Sequence, residues 1–158
     1  MDIRKTLSIF LMIFACITLQ AETLMGKVVR IADGDTFTLL VEKKQHRIRL
    51  YSIDAPDTKG GQPYSQKSKD YLASMIAGKT VHVGAKDTDR YGRYLGVVST
   101  SDIKDVNLEM IRSGMAWHYS YYDNTPAYKT AQQQAKKARK GLWADPSPIN
   151  PYDWRKKH

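Results

Sequence analysis

Three short runs that mix apolar and polar residues lie in the first third of the chain. Met25 to Ala32 sets Val28, Val29 and Ile31 beside Lys27 and Arg30. This predicts a strand, ended by the turn residues Asp33-Gly34-Asp35. Thr36 to Val41 predicts a second strand, rich in β-branched and aromatic types, and Glu42 to Gln45 its turn. His46 to Tyr51 alternates at Ile48 and Leu50 and predicts a third. Lys79 to Ala85 and Arg93 to Ser99 predict a fourth and fifth, joined as a hairpin by the charged turn Asp87 to Gly92.

Helical spacing appears between and after these runs. Asp57 to Pro63 carries Asp, Thr, Lys, two glycines and Pro, and predicts an exposed, mobile loop. Ser65 predicts a cap for a helix that runs to Ala77 and stops at Gly78. Its apolar side holds Tyr64, Ser68, Tyr71, Leu72, Met75 and Ile76. A short helix is expected from Val106 or Asn107 to Ser113, ended by Gly114. Thr125-Pro126 predicts the start of another, with Thr as cap and Pro in the first turn, running to Lys140. From Asp145 onward Pro146, Pro148 and Pro151 predict irregular chain, finishing in the basic run Arg155-Lys156-Lys157. The expected fold class is α+β: a five-stranded β-barrel of the oligonucleotide-binding (OB-fold-like) kind with about three flanking helices. No internal repeat is present.

The N-terminus changes what counts as the domain. A weakly basic start precedes the apolar run Leu7 to Leu19, and Leu19-Gln20-Ala21 offers a small residue for cleavage. Residues 1–21 therefore read as a secretory signal peptide, with an uncleaved anchor or a lipoprotein site at Cys16 as alternatives. Residues 22–145 form the expected domain and 146–158 a Pro-rich basic tail. Secretion or a periplasmic location is expected. The sole cysteine, Cys16, lies in the removed segment, so no disulfide is expected. The whole chain carries a formal charge of +9, and residues 22–158 about +8. Such a protein attracts polyanions: nucleic acid, anionic membrane or acidic polysaccharide.

Candidate chemistry gathers between Ile31 and Asp57. An isolated Asp-Gly-Asp is ordinarily a turn, in which Asp33 and Asp35 face apart. Asp54, after the third strand, changes that. Two carboxylates meeting after neighbouring strands suit a hard cation such as Ca²⁺, with the Ala55 carbonyl and water completing its shell. There is no twelve-residue EF-hand loop, and His46, His82 and His118 are too scattered for a zinc site. Arg49 offers two parallel donors to a phosphate, and Arg93 could approach from another side. For either Arg alone, surface charge or a structural ion pair is the plainer reading.

Three segments in order resemble the thermonuclease family, of which staphylococcal nuclease is the familiar member. They are Asp33-Gly34-Asp35-Thr36, Arg49 through Ile53-Asp54-Ala55-Pro56, and Thr88-Asp89-Arg90-Tyr91-Gly92-Arg93. Gly141-Leu142-Trp143 after a basic helix adds to the likeness, which covers residues 25–145. The resemblance implies a Ca²⁺-dependent phosphodiesterase cleaving DNA and RNA to products with a 3′-phosphate. It implies Asp35, Asp54 and Ala55 as the metal positions, Arg49 and Arg93 as phosphate contacts, and Arg93 also near the leaving oxygen. Asp57 stands where the family normally has Glu, proposed to orient or activate the attacking water. The Asp side chain is shorter by one methylene, about 1.5 Å of reach. A misplacement of about 1 Å can cost roughly 100-fold in rate. Full activity with loop compensation, weak activity, and binding without turnover all stay open.

Trp117, Tyr119, Tyr121 and Tyr122 form an aromatic run on which bases could stack. By resemblance, Tyr119 and Tyr122 are the expected substrate contacts, while Trp117 is expected to pack against the last helix. Two other classes compete: a non-catalytic nucleic-acid-binding module, and a surface domain adhering to acidic polymers through the helix that carries Lys136 and Lys137. No protein partner is called for, and a monomer is expected.

Overall fold

The computed structural model describes residues 22–121 and 123–158. The strands are β1 Glu22–Asp33, β2 Thr36–Val41, β3 Lys44–Leu50, β4 Ile53–Asp54, β5 Thr80–Thr88, β6 Tyr94–Ser99 and β7 Trp117–His118. The helices are α1 Ser65–Ile76, α2 Val106–Arg112, α3 Pro126–Lys137 and α4 Pro151–Lys157, with a 3₁₀ turn at Gly141–Ala144. Strands β1, β2, β3, β6 and β5 close a barrel in that order, and β4 pairs with β7 outside it. This is the expected α+β, OB-fold-like barrel.

Alternation drives the barrel. Phe37, Leu39, Ile48, Leu50, Val81, Val83 and Val98 all point inward and are wholly or almost wholly buried. Each such side chain contributes about 1.5–3 kcal/mol by leaving water. Leu72 and Ile76 of α1, and Val106, Met110 and Ile111 of α2, extend the same core. Barrel closure comes from the parallel pairing of β3 with β6, in the register Ile48 with Tyr94, Arg49 with Leu95 and Leu50 with Gly96. Buried Asn107 locks that seam. Its amide nitrogen donates to the Tyr51 and Gly96 carbonyls, at 2.9 and 3.0 Å, and its oxygen accepts from Val98 N–H at 3.1 Å.

Several expectations need correction. Four helices flank the barrel among the described residues, in keeping with the about three expected and one more. The fourth comes from the Pro-rich tail, which was expected to be irregular. Pro151 does not break this helix because it sits in its first turn, where no N–H is needed. The Asn150 side chain caps it by accepting from Tyr152 N–H at 2.9 Å. Ser65 is the first residue of α1 rather than its cap; Tyr64, in the left-handed region at φ 68°, precedes it without a side-chain cap. Strand β5 runs on to Thr88, so the hairpin turn shrinks, and Arg93 precedes β6 instead of opening it. The loop after Asp57 is exposed at Thr58 to Gly61 but anchored beyond. Gln62 is buried; its oxygen accepts from Asp57 N–H at 2.8 Å and its Nε2 donates to the Ile149 carbonyl at 2.8 Å.

Candidate active site

The site begins at the turn joining β1 to β2. Asp33 Oδ1 accepts from Asp35 N–H at 3.1 Å, so Asp33 shapes the turn as expected. Its carboxyl also lines the same cleft as Asp35, however, and the two share a hydrogen bond. Asp33 is therefore more than turn geometry. Burial, with the neighbouring Asp35 charge, pushes it up to about 8. Close contact fixes the turn: a Cβ on Gly34 would collide with the Ser68 side chain of α1. Ser68 in turn donates to the Met115 carbonyl at 2.6 Å.

Asp35 is buried and fully engaged. Its Oδ1 accepts from the Thr36 hydroxyl at 2.9 Å, and its Oδ2 from Ala55 N–H at 2.8 Å. Arg49 Nη1 lies 2.6 Å from Oδ2. Burial alone would favour the neutral acid. The Arg49 charge, with hydrogen bonds from Asp33, Ala55 and Arg49, holds Asp35 down at about 2. The ladder explains the meeting, because Thr36 pairs with Arg49 across β2 and β3.

Arg49 also reaches Asp54, its Nη2 donating to Oδ1 at 3.2 Å and to the Ile53 carbonyl at 3.3 Å. One guanidinium thus joins the two carboxylates expected to hold metal. Asp54 is 1% exposed. Burial and the nearby Asp35 push its carboxyl up, against the pull of Arg155 and Arg49. Arg155 of α4 meets both Asp54 oxygens, Nη1 to Oδ1 at 3.1 Å and Nη2 to Oδ2 at 2.8 Å.

Asp57 lies three residues beyond Asp54, on the same cleft but in the loop. Its Oδ1 accepts from Lys59 N–H at 2.9 Å. Arg93 enters from the other side of the seam, because β6 runs parallel to β3 and Tyr94 sits beside Ile48. Asp89 steadies it: Oδ1 accepts from Arg93 N–H at 3.0 Å and Oδ2 from Arg93 Nε–H at 2.7 Å. Those bonds, with that from Tyr91 N–H, outweigh burial and keep Asp89 below its ordinary range. The Arg93 guanidinium also lies over the Tyr91 ring, 5.5 Å from its centroid. Tyr119 is brought in by β7, which pairs Asp54 with Trp117; Tyr119 N–H donates to the Ser52 carbonyl at 2.8 Å.

One cleft of about 710 Å³ is lined by Asp33, Asp35, Arg49, Asp54, Ala55, Asp57, Arg93 and Tyr119 together. That volume is in the range of sites for sizeable ligands. The staphylococcal nuclease homologue pattern matches residues 47–145, well over half the chain. The chain belongs to the staphylococcal nuclease homologue family.

Relatives extend the likeness over more of the sequence. An "Uncharacterized endonuclease" of Escherichia coli O157:H7 is 43% identical over 152 residues, 96% of this chain and 97% of its own. A similarly named protein of Haemophilus influenzae is 42% identical over 151 residues, 95% of this chain and 82% of its own. A "Micrococcal nuclease" of Shigella flexneri is 38% identical over 141 residues, 83% of this chain and 80% of its own.

Within this thermonuclease-family cleft the structure brings together Asp35, Arg49, Asp54, Ala55, Asp57, Arg93 and Tyr119. Tyr122 lies outside the described residues. Trp117 packs edge-on against Trp143, ring centroids 4.4 Å apart, with Lys136 over both rings. Sequence reasoning missed Asp89, Tyr152 and Arg155. Asp89 carried a signal, the Asp-x-x-Gly-Arg turn. Asn150-Pro151 likewise had the cap-then-Pro form that marked Thr125-Pro126.

The donors suit a hard cation. Asp35 and Asp54 supply carboxylate oxygens in one place, and the cleft lining has neither imidazole nor thiol. Among the described residues no three His, Cys, Asp or Glu side chains converge as a ready-made cage. Two carboxylates would hold the ion, with backbone oxygen and water as its remaining ligands.

Proposed function

We propose that this protein is a Ca²⁺-dependent phosphodiesterase that hydrolyses DNA and RNA to products with a 3′-phosphate. The observation that carries this reading is the convergence of residues from four separate segments on one cleft. Two buried carboxylates, two arginines and the Asp57 carboxylate meet there with Tyr119. The family relationship and the relatives' names support the same reading.

The chain's residues divide the work. Arg49 on β3 and Arg93 in the turn before β6 clamp the scissile phosphate and stabilise the charge that grows on its non-bridging oxygens. Asp57 accepts a proton from the water that attacks phosphorus. The bond from phosphorus to the 5′ oxygen breaks, leaving phosphate on the 3′ side. Arg93 lies toward that departing oxygen and stabilises its charge; the proton it finally takes comes from solvent, since an Arg does not give one up. When bound, Ca²⁺ held by Asp35, Asp54 and the Ala55 carbonyl would supply Lewis-acid stabilisation of the phosphate. Tyr119 offers a stacking surface for a base. The same reading takes the protein to act as a monomer. Export is inferred from residues 1–21 alone.

A second reading, binding without turnover, is favoured by one observation: the Asp57 carboxylate is turned to Lys59 N–H. End-group analysis separates the two. Purified protein with Ca²⁺ and single- or double-stranded DNA or RNA is expected to yield 3′-phosphate and 5′-hydroxyl ends. Salt-sensitive binding with intact substrate would favour the second reading, and 5′-phosphate ends would overturn the reaction given above.

A further inference from the structure

Helix α4 is thinly attached. Pro151 is its buried residue, while Tyr152 is 47% exposed and the Arg155 side chain 41% exposed. Its base is anchored, because Gln62 holds the Ile149 carbonyl. Beyond that point two polar attachments tie the helix down among the described residues. Trp154 Nε1 donates to the Lys59 carbonyl at 3.4 Å, beside Gly60, where an added Cβ would come within 3.3 Å of the indole nitrogen. Arg155 closes its fork on both oxygens of Asp54, a residue 101 positions earlier. Tyr152 and Arg155 also line the cleft that holds Asp35, Arg49 and Arg93.

This fork has a consequence for the carboxylate. Asp54 is buried, and without Arg155 its charge would rest on Arg49 through a single 3.2 Å contact to one oxygen. A two-pronged guanidinium occupies the lone pairs and the space that a cation needs. A divalent ion and a guanidinium on the same oxygens also repel each other.

We propose that α4 is a displaceable plug, with Arg155 standing on Asp54 in place of the cation, so that Ca²⁺ binding and release of the helix are coupled. This rests on the reading of the cleft as a Ca²⁺-dependent phosphodiester site. The hinge is the stretch from Ile149 to Pro151, and the moving part is Tyr152 to His158. Released, Arg155, Lys156 and Lys157 become three cations at the cleft mouth, free to meet a polyanion. The metal-free enzyme is thereby shut, with its buried carboxylate neutralised, and opens where Ca²⁺ is abundant.

Calorimetric titration of Ca²⁺ into the wild-type protein and into Arg155→Gln tests the coupling. If the plug is docked about 90% of the time, the variant binds Ca²⁺ about 10-fold more tightly than wild type. In the wild type, which needs no substitution to fold, Ca²⁺ is expected to speed amide exchange in Tyr152 to Lys157 while leaving the barrel protected. Arg155→Lys, which keeps the charge but loses the fork, is expected to fall between the two in affinity. Equal Ca²⁺ affinity in wild type and Arg155→Gln, or α4 exchange unmoved by saturating Ca²⁺, would overturn the plug and leave the metal site standing. Absence of Ca²⁺ binding in both proteins would overturn the metal site itself, and the plug with it.

Discussion

Asp54 and Asp57 are three residues apart and live in different physical worlds. Asp54 ends a strand, is almost inaccessible, and touches two guanidinium groups. Asp57 sits half-exposed in a loop and takes a hydrogen bond from the N–H of Lys59. The first is positioned by the barrel: β2 pairs with β3, β3 with β6, and β4 with β7, and each pairing delivers one member of the cluster. The second is positioned by a few local bonds that end at Gln62. The proposed phosphate and metal positions are therefore properties of the fold. The position of the proposed base is a property of side-chain length and loop shape.

The comparison breaks most visibly at Arg49. Arg49→Ala leaves Asp35 without its ion pair and Asp54 with Arg155 alone. Loss of one partner from a buried ion pair costs about 3–5 kcal/mol. Because Arg155 remains, urea denaturation should show a loss near the lower end, together with near-complete loss of cleavage. Unchanged stability would mean that the fold does not depend on this cluster. On the loop side the effect is kinetic. Asp57→Ala should lower turnover by about 10²–10⁴-fold, the usual contribution of a general base, with stability nearly unchanged. A stability loss as large as that of Arg49→Ala would erase the distinction between the two regions.

Smaller changes sharpen it. Asp57→Glu restores the longer reach and should raise turnover, by up to roughly 100-fold if the present misplacement is about 1 Å. An unchanged rate would remove reach as the limit. The smallest effect is expected at Asp89. Its folded carboxyl lies below the ordinary range, so the ordering it gives Arg93 is fully present above about pH 4, the unperturbed carboxylate value. That ordering is lost as pH falls through the depressed folded value. Exchange at Arg93 N–H, corrected for intrinsic pH dependence, should lose protection on acidification, and Asp89→Asn should flatten that loss.

Much of this was legible in the chain. β-branched and aromatic content marked Thr36 to Val41, and alternation at Ile48 and Leu50 marked the next strand, because a half-buried sheet imposes a period of two. Asp35, Arg49, Asp54 and Arg93 could be named from three linked segments. What stayed hidden was long-range. No local pattern signals that β6 pairs parallel with β3, or that Asn107 seals the seam. Arg155 read as one cation of a basic tail with no assigned role, since its partner is 101 residues away. Pro151 read as a breaker because its place in a first turn depends on Asn150 capping it, a rule applied at Thr125 and missed here. Asp33 read as turn geometry because its second role depends on the burial that the closed barrel creates.

If the proposed function holds, this cleft cleaves nucleic acid with Ca²⁺ and Arg93. The most direct measurement is cleavage of DNA and RNA by one purified preparation, assayed with chelator, then with excess Ca²⁺, beside Arg93→Ala purified in the same way. The prediction is no cleavage with chelator, recovery on adding Ca²⁺, and near-complete loss in a folded Arg93→Ala. Chelator-resistant cleavage, or equal cleavage by the Arg93→Ala protein, would contradict it.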